Sequence, residues 1–257
     1  MSHTLAGSTS LDSIFATLDP VGLDTLDALA ALRTRVDRKY LVPIETAEAL
    51  VDAFGDRLQA LEVNDRRSFR YESLYFDTPE LTAYRGAAHG RRHRFKVRTR
   101  VYRDQGTCML EVKTRGTRGA TVKHRIEHAT NDRYDITAAG ARFIDLHTGT
   151  AGLGRALRPT LSTHYTRRTL LDASHDSRIT IDTDLEVAGY DGGDVRLGDV
   201  AVLETKTASA GALDQDRWLW AHGVRPVAMS KYCVGMALVH PRLPANRWRP
   251  ILRALSA

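Results

Sequence analysis

The chain has 257 residues, 42% hydrophobic and 26% charged, enough for one large domain or two small ones with a sizeable core. Its 37 Lys and Arg against 31 Asp and Glu leave a net charge of +6, and no run approaches the roughly 18 to 20 apolar residues of a membrane span. Two isolated cysteines, Cys108 and Cys233, without CxxC or neighbouring His spacing, argue against a disulfide framework or a zinc site and for buried thiols. The N-terminal MSHTLAGSTSLDSIF lacks the basic and apolar regions of a signal peptide, so the expectation is a soluble, cytoplasmic protein.

In chain order, a short helix is expected around Leu11 to Leu18, ended by Asp19-Pro20, and a second over Leu23 to Leu32. RVDRKYLV starts a strand at Arg35 that Pro43 closes, and ETAEALVDAFGDRL is an amphipathic helix with Ala47, Leu50, Val51 and Phe54 on one face. From Phe69 strand follows strand: RYESLYFD, RRHRFKVRTRVYR, TCMLEVKTR, TVKHRIEH, PTLSTHYTRRTLLD, RITIDTDLEV and VAVLETKT. Asp77-Thr-Pro79, Asp104-Gln-Gly106, Gly116 to Gly119, His175-Asp-Ser177 and Asp191-Gly-Gly193 supply the turns. Helical pieces recur near Ala138 to Leu146, Ala212 to His222 and Met229 to Val239. Serial strands joined by short turns predict an α+β fold around one large antiparallel sheet, in a meander or barrel.

The strand RRHRFKVRTRVYR carries the strongest signal. Arg94, Lys96, Arg98 and Arg100 fall on every second residue, so a strand sends them to one face while Phe95, Val97, Thr99 and Val101 take the other. Between Arg91 and Arg125 twelve Lys or Arg meet two acids, a local +10 that exceeds the charge of the whole chain. Such concentration points to a site for a polyanion rather than to general solubility.

The neighbouring strands repeat the division. Glu111, Lys113 and Arg115 share a face, as do Lys123, Arg125 and Glu127, then Arg178, Thr180, Asp182 and Asp184, then Glu204 and Lys206. For any one strand, a core face and a wet face with charges paired across the ladder is a sufficient account. Repetition with an excess of cations favours a basic channel instead, with carboxylates available to a divalent cation. Arg offers bidentate contacts to phosphate oxygens and Lys a point charge, which suits a phosphate polymer or a nucleoside triphosphate. With no GxxxxGK[ST] loop and no kinase Gly-rich loop, side chains rather than a backbone nest must hold the phosphates.

Nine ordered segments carry a family resemblance: Arg35-Val-Asp-Arg-Lys39-Tyr40, Tyr75-Phe-Asp77, Lys96 to Tyr102, Glu111-Val-Lys113-Thr114, Arg158-Pro159, Tyr165-Thr-Arg167, Arg178 to Asp182, Val202 to Lys206 and Ser230-Lys231-Tyr232. Over about Arg33 to Val239 the chain resembles the VTC domain, the polyphosphate polymerase domain of the vacuolar transporter chaperone complex, within the CYTH-like triphosphate tunnel superfamily. The resemblance implies an eight-stranded antiparallel β-barrel tunnel that transfers the γ-phosphate of ATP to inorganic polyphosphate with Mn²⁺ or Mg²⁺. It implies catalytic roles for Lys39, Arg98, Arg100, Lys113 and Lys231, and phosphate binding by Lys123, Tyr165, Arg167, Arg178 and Ser230. Arg125, as an alternative to Lys123, and Lys206 join the binding set, and Glu204 is the implied metal ligand.

The chain departs from the superfamily's hydrolytic ExExK strand, carrying Arg35-x-Asp37-x-Lys39, and has Ala228 where the VTC branch tends to place a further Lys. Residues 1–30 are expected to be a helical or flexible segment, 31–240 the tunnel domain and 241–257 a tail. Asp37, Asp182 and Glu111 are secondary metal candidates that read chiefly as charge balance for the arginines, His93, His124, His128 and His164 receive no ligand role, and Trp218, Trp220 and Trp248 are expected to pack helices. A triphosphatase and a noncatalytic polyphosphate or nucleotide sensor stand as alternatives. A nucleic-acid partner ranks last, since only Phe95 and Tyr102 interleave with the cations. With no membrane segment, translocation of a product would need a membrane partner protein.

Overall fold

The alternation of apolar and charged residues becomes a two-faced sheet in the computed structural model, which describes residues 6–30, 36–115, 121–172, 174, 177–207 and 211–256. Its strands are β1 (Asp19–Val21), β2 (Val36–Pro43), β3 (Leu58–Leu61), β4 (Ser68–Asp77), β5 (Phe95–Tyr102) and β6 (Thr107–Arg115). They continue with β7 (Thr121–His128), β8 (Arg158–Asp172), β9 (Ser177–Gly189), β10 (Asp194–Leu197) and β11 (Val200–Thr207). The helices are α1 (Ala6–Thr17), α2 (Leu23–Ala30), α3 (Ile44–Phe54), α4 (Thr82–Ala88), α5 (Ala138–Thr148), α6 (Leu153–Ala156), α7 (Asp214–Ala221), α8 (Lys231–Val239) and α9 (Arg249–Ala254). None is long and apolar enough to cross a membrane. The expected strand start at Arg35 and the turn at Gly116 to Gly119 lie outside the described residues.

The predicted α+β class with a large antiparallel sheet is observed. The closed eight-stranded barrel is not: among the described residues the sheet is open and has eleven strands, ordered β2-β11-β9-β8-β4-β5-β6-β7, with β1, β3 and β10 off that path. The extra strands are three or four residues long, too short to show a period of two in sequence. β1 pairs parallel with β3 and carries Pro20, which an edge strand tolerates because the missing N–H leaves no ladder bond broken there. Helices α4, α6 and α9, of seven, four and six residues, likewise escaped notice because one or two turns give no readable amphipathic stripe.

The chain divides into two compact units, the first formed by Met1–Phe69, Tyr165–Leu185 and Leu197–Met229, the second by Arg70–His164, Glu186–Arg196 and Ser230–Ala257. In the first, Tyr40, Val42, Ile179, Ile181, Ala201, Leu203 and Leu170 form the apolar face of the sheet and pack with Ala47, Leu50 and Val51 of α3 and Leu219 of α7. Leu11 and Phe15 of α1, both essentially unexposed, join the same cluster. Burying a Leu or Phe side chain contributes roughly 1.5–3 kcal/mol. Two arginines fasten that helix: Arg168, fully buried, reaches Asp12 Oδ1 at 2.5 and 2.8 Å, and Arg67 donates to the carbonyls of Phe15 and Leu18. Residues 6–18 thus belong to the apolar side of this unit rather than to its charged face.

In the second unit Leu74, Phe76, Val97, Leu110 and Val112 make the apolar face, covered by Ile144 of α5 and by Leu153 and Leu157. Thr137 caps α5 through its hydroxyl, which accepts Gly140 N at 3.1 Å, and Gly149 ends it at φ 69°. Helix α6 lies so close that a Cβ on Gly154 would sit 2.5 Å from the Cα and O of Ala141. Cys108 and Cys233 are buried free thiols. Trp248 packs against Tyr84, ring centroids 5.5 Å apart, while in the first unit Trp218 and Trp220 pack against the core.

If α1 is part of the core, Leu11→Ala will lower stability by about 2–5 kcal/mol. Chemical denaturation of the variant checks this, and an unchanged midpoint would mean that the helix is dispensable.

Candidate functional site

In an antiparallel ladder, residues directly opposite one another point to the same face, so the register lays the charged residues out in rows. In the first unit β11 is the middle strand of three. Glu204 stands opposite Lys39 of β2 and Thr180 of β9, and Lys206 stands opposite Asp37 and Arg178. Lys39 Nζ meets Glu204 Oε1 at 2.5 Å and Lys206 Nζ meets Oε2 at 2.6 Å, so both carboxylate oxygens are engaged by ammonium groups. Burial alone would raise the Glu204 pKa, but Lys206 and Lys39 outweigh it and hold the carboxyl well below its usual range. Burial, partly offset by Glu204, brings Lys206 down to about 8. Alongside, Arg167 binds Asp182 through two hydrogen bonds of 2.6 and 2.8 Å and stacks over the Tyr165 ring at 5.4 Å.

The register of this row is secured from behind. Asp216 of α7, fully buried, accepts from Arg38 Nη1 (3.1 Å), Tyr40 Oη (2.7 Å), Thr205 Oγ1 (2.8 Å) and Leu213 N (2.9 Å). Arg38 and Tyr40 flank Lys39, and Thr205 follows Glu204, so one carboxylate fixes both partners of the central ion pair through their neighbours. Nothing in the local pattern DQDRWLWA marks Asp216 as more than a surface acid of an amphipathic helix.

The second unit carries a denser face. Lys96, Lys113 and Lys123 form one row across β5, β6 and β7. Tyr75, Arg98, Glu111 and Arg125 form the next, and Ser73, Arg100, Met109 and Glu127 the third. Glu111, only 1% exposed, takes Arg98 Nε and Nη2 on Oε2 at 2.8 and 2.5 Å, with Lys123 Nζ 3.5 Å from Oε1. Burial raises its pKa, yet Arg98, Arg100, Lys123 and Lys113 together carry it far below the ordinary carboxylate value. Lys113 pays the converse: the Arg98 guanidinium, then burial and Arg100, push its ammonium well below 10.5. Lys123 shifts the same way, chiefly through burial.

Asp77 plays in this unit the part Asp216 plays in the other. Unexposed at the end of β4, it accepts the backbone N–H groups of Thr78, Ala83 and Tyr84 at 2.8–2.9 Å and the Tyr232 hydroxyl at 2.6 Å. Tyr232 in turn stacks on Tyr75. Ser230 caps α8 by accepting Cys233 N, and Lys96 Nζ donates to its hydroxyl at 2.8 Å.

Of the residues expected from sequence, Lys39, Glu204, Lys206, Arg178, Arg167 and Tyr165 lie in the first unit, on or beside one face. Arg98, Arg100, Lys113, Lys123, Ser230 and Lys231 lie in the second, where Lys231 is near enough to Tyr75 to lower its pKa. Arg125 shares their face and, like Lys123, is exposed on the last strand of the order. Arg94 falls just before β5, where its carbonyl accepts Arg115 N at 3.3 Å and its guanidinium donates to the Arg91 carbonyl at 2.9 Å.

The VTC domain family matches residues 34–240. The chain belongs to this family. No curated protein matches it. Among solved structures the VTC domain is similar to a putative adenylyl cyclase from Hippeastrum, described as having a dominant triphosphatase activity. Identity is 16%, coverage 79% of this chain and 96% of that one, and the TM-score is 0.53, a likeness of fold. A putative adenylate cyclase from Bacillus halodurans matches at 10% identity over 87% of this chain and 90% of that one, with a TM-score of 0.44.

Among the described residues no three His, Cys, Asp or Glu side chains gather into a metal cluster. A hard divalent cation such as Mg²⁺ needs less, since it is commonly held by one or two carboxylates together with substrate phosphates and water. Glu204 offers the carboxylate, and Thr180 Oγ1, directly across the ladder and 3% exposed as a residue, is a buried hydroxyl without a hydrogen-bond partner among the described residues. Both Glu204 oxygens are engaged by Lys39 and Lys206, so a cation arriving with its phosphates would have to share them.

A polyanion on the second unit's face will raise the lowered Lys113 pKa, because it offsets the repulsion from Arg98. Binding of inorganic tripolyphosphate should therefore take up protons at pH values below 10.5 and above the depressed pKa of the free site. Calorimetry in buffers of different ionisation enthalpy measures this, and Lys113→Met should reduce the uptake.

Proposed function

We propose that this VTC domain is a metal-dependent polyphosphate polymerase that transfers the γ-phosphate of ATP onto a growing inorganic polyphosphate chain. The observation that carries the reading is the second unit's face, where six cations (Lys96, Arg98, Arg100, Lys113, Lys123 and Arg125) crowd about the buried Glu111 on three strands. Membership of the family supports it.

The transfer breaks the bond between the γ-phosphorus and the β–γ bridging oxygen and forms one to a terminal oxygen of the acceptor chain. The products are ADP and a polymer longer by one phosphate. A terminal phosphate oxygen is already anionic, so no general base is required, and catalysis rests on position and on neutralising charge at the equatorial and leaving oxygens. Arg98 and Arg100 present guanidinium groups to those oxygens, Lys113 and Lys39 supply point charge, and Lys231 adds charge at the start of α8. Arg167, Arg178, Lys123, Arg125, Lys206, Tyr165 and Ser230 hold the nucleotide or polymer. Mn²⁺ or Mg²⁺, held by Glu204 with phosphate oxygens, would supply further charge neutralisation.

Purified protein incubated with ATP and Mn²⁺ should yield long polyphosphate on a gel, and Glu204→Gln should abolish the product while leaving tripolyphosphate binding in place. Release of phosphate without chain growth would make the domain a triphosphatase, and tight binding without turnover a noncatalytic polyphosphate or nucleotide module. Either outcome sinks the polymerase reading.

A further inference from the structure

Tyr75 has no role in the mechanism above, yet the fold commits several interactions to it. It stands on β4 opposite Arg98, which puts its side chain on the face that bears Arg98, Glu111 and Arg125. The residue is 4% exposed, and its ring is stacked on that of Tyr232 at 5.1 Å and 24°. The Tyr232 hydroxyl donates to Asp77, which fixes the stack at its far side. The phenol oxygen of Tyr75 accepts Arg98 Nη1 at 3.1 Å, while the other edge of that guanidinium is taken by Glu111.

Rotation of the ring is blocked by the stack, and position is set by the arginine. A phenol oxygen that accepts from a guanidinium still has its own proton to donate. Groups facing it are Arg98 and Arg100 from β5, Lys231 and Tyr232 from α8, and Asp77 from its own strand. Burial pushes the phenol pKa up, but Arg98, Arg100 and Lys231 outweigh burial and the net shift is down, which makes the O–H a stronger donor to an anion.

We propose that Tyr75 is a substrate-contacting residue, its phenolic O–H donating to a phosphate oxygen held by Arg98 and Arg100. The proposal rests on the reading of this face as a phosphate-chain site and adds to its charged guanidinium and ammonium donors a neutral hydroxyl donor, fixed in place by the Tyr232 stack and Arg98.

The test is Tyr75→Phe, which keeps the ring and its stack and removes only the hydroxyl. Binding of inorganic tripolyphosphate should weaken about tenfold, about 1.4 kcal/mol, with the circular-dichroism spectrum of the ligand-free protein unchanged. Equal affinity in wild type and Y75F overturns the proposal and leaves the polyphosphate reading standing. Failure of the wild type to bind tripolyphosphate overturns both. A second measurement needs no variant: in ultraviolet titration of the wild type, one phenol should ionise below the ordinary 10.0 and move upward when tripolyphosphate is added. A titration indifferent to the ligand also overturns the proposal.

Discussion

Like charges held on one face of a sheet repel, and in the second unit Glu111 is the group that makes the arrangement tenable. It is buried on the middle strand of three, where Arg98 and Lys123 reach it from either side. Removing one partner of a buried ion pair typically costs about 3–5 kcal/mol. Even with it, the compensation is incomplete: Lys113 is left with a depressed pKa, and Glu127 is the other acid on those rows. Any polyanion that binds such a face in the folded state and not in the unfolded one adds RT ln(1 + [L]/Kd) to stability.

The first unit is balanced differently. Its four cations, Lys39, Arg167, Arg178 and Lys206, meet three acids, Asp37, Asp182 and Glu204, and the two pairings that matter most are short and well formed. Surplus positive charge thus sits in the second unit, while the first offers a carboxylate with an orphaned hydroxyl beside it.

Both sites are held from their own apolar sides or edges by a fully buried aspartate, Asp216 in one and Asp77 in the other. Each collects four hydrogen bonds and ties a helix to the strand that presents the charges. Four donors to one carboxylate satisfy its lone pairs, which is what allows burial of the charge. Tolerances in such sites are a fraction of an ångström, so these carboxylates act on the cations at one remove, through Arg38, Tyr40, Thr205 and Tyr232.

Alternation in FKVRTRVY, CMLEVKTR and AVLETKT determined by itself which residues share a face, because a strand has only two faces and the apolar set must be buried. The α+β class and the clustering of Arg98, Arg100 and Lys113 were legible for that reason, and the family from the order of nine short motifs. Cross-strand partners were not, since register depends on loop geometry and on long-range contacts, and a shift of one residue exchanges the faces. Only the tertiary structure set Glu204 between Lys39 and Lys206, placed α1 on the apolar side and brought Tyr75, whose sequence signal is a motif alone, against Arg98. It also decided that the described strands form an open sheet of eleven, because the added strands are short and two of them, β1 and β3, gain their pairing from segments distant in sequence.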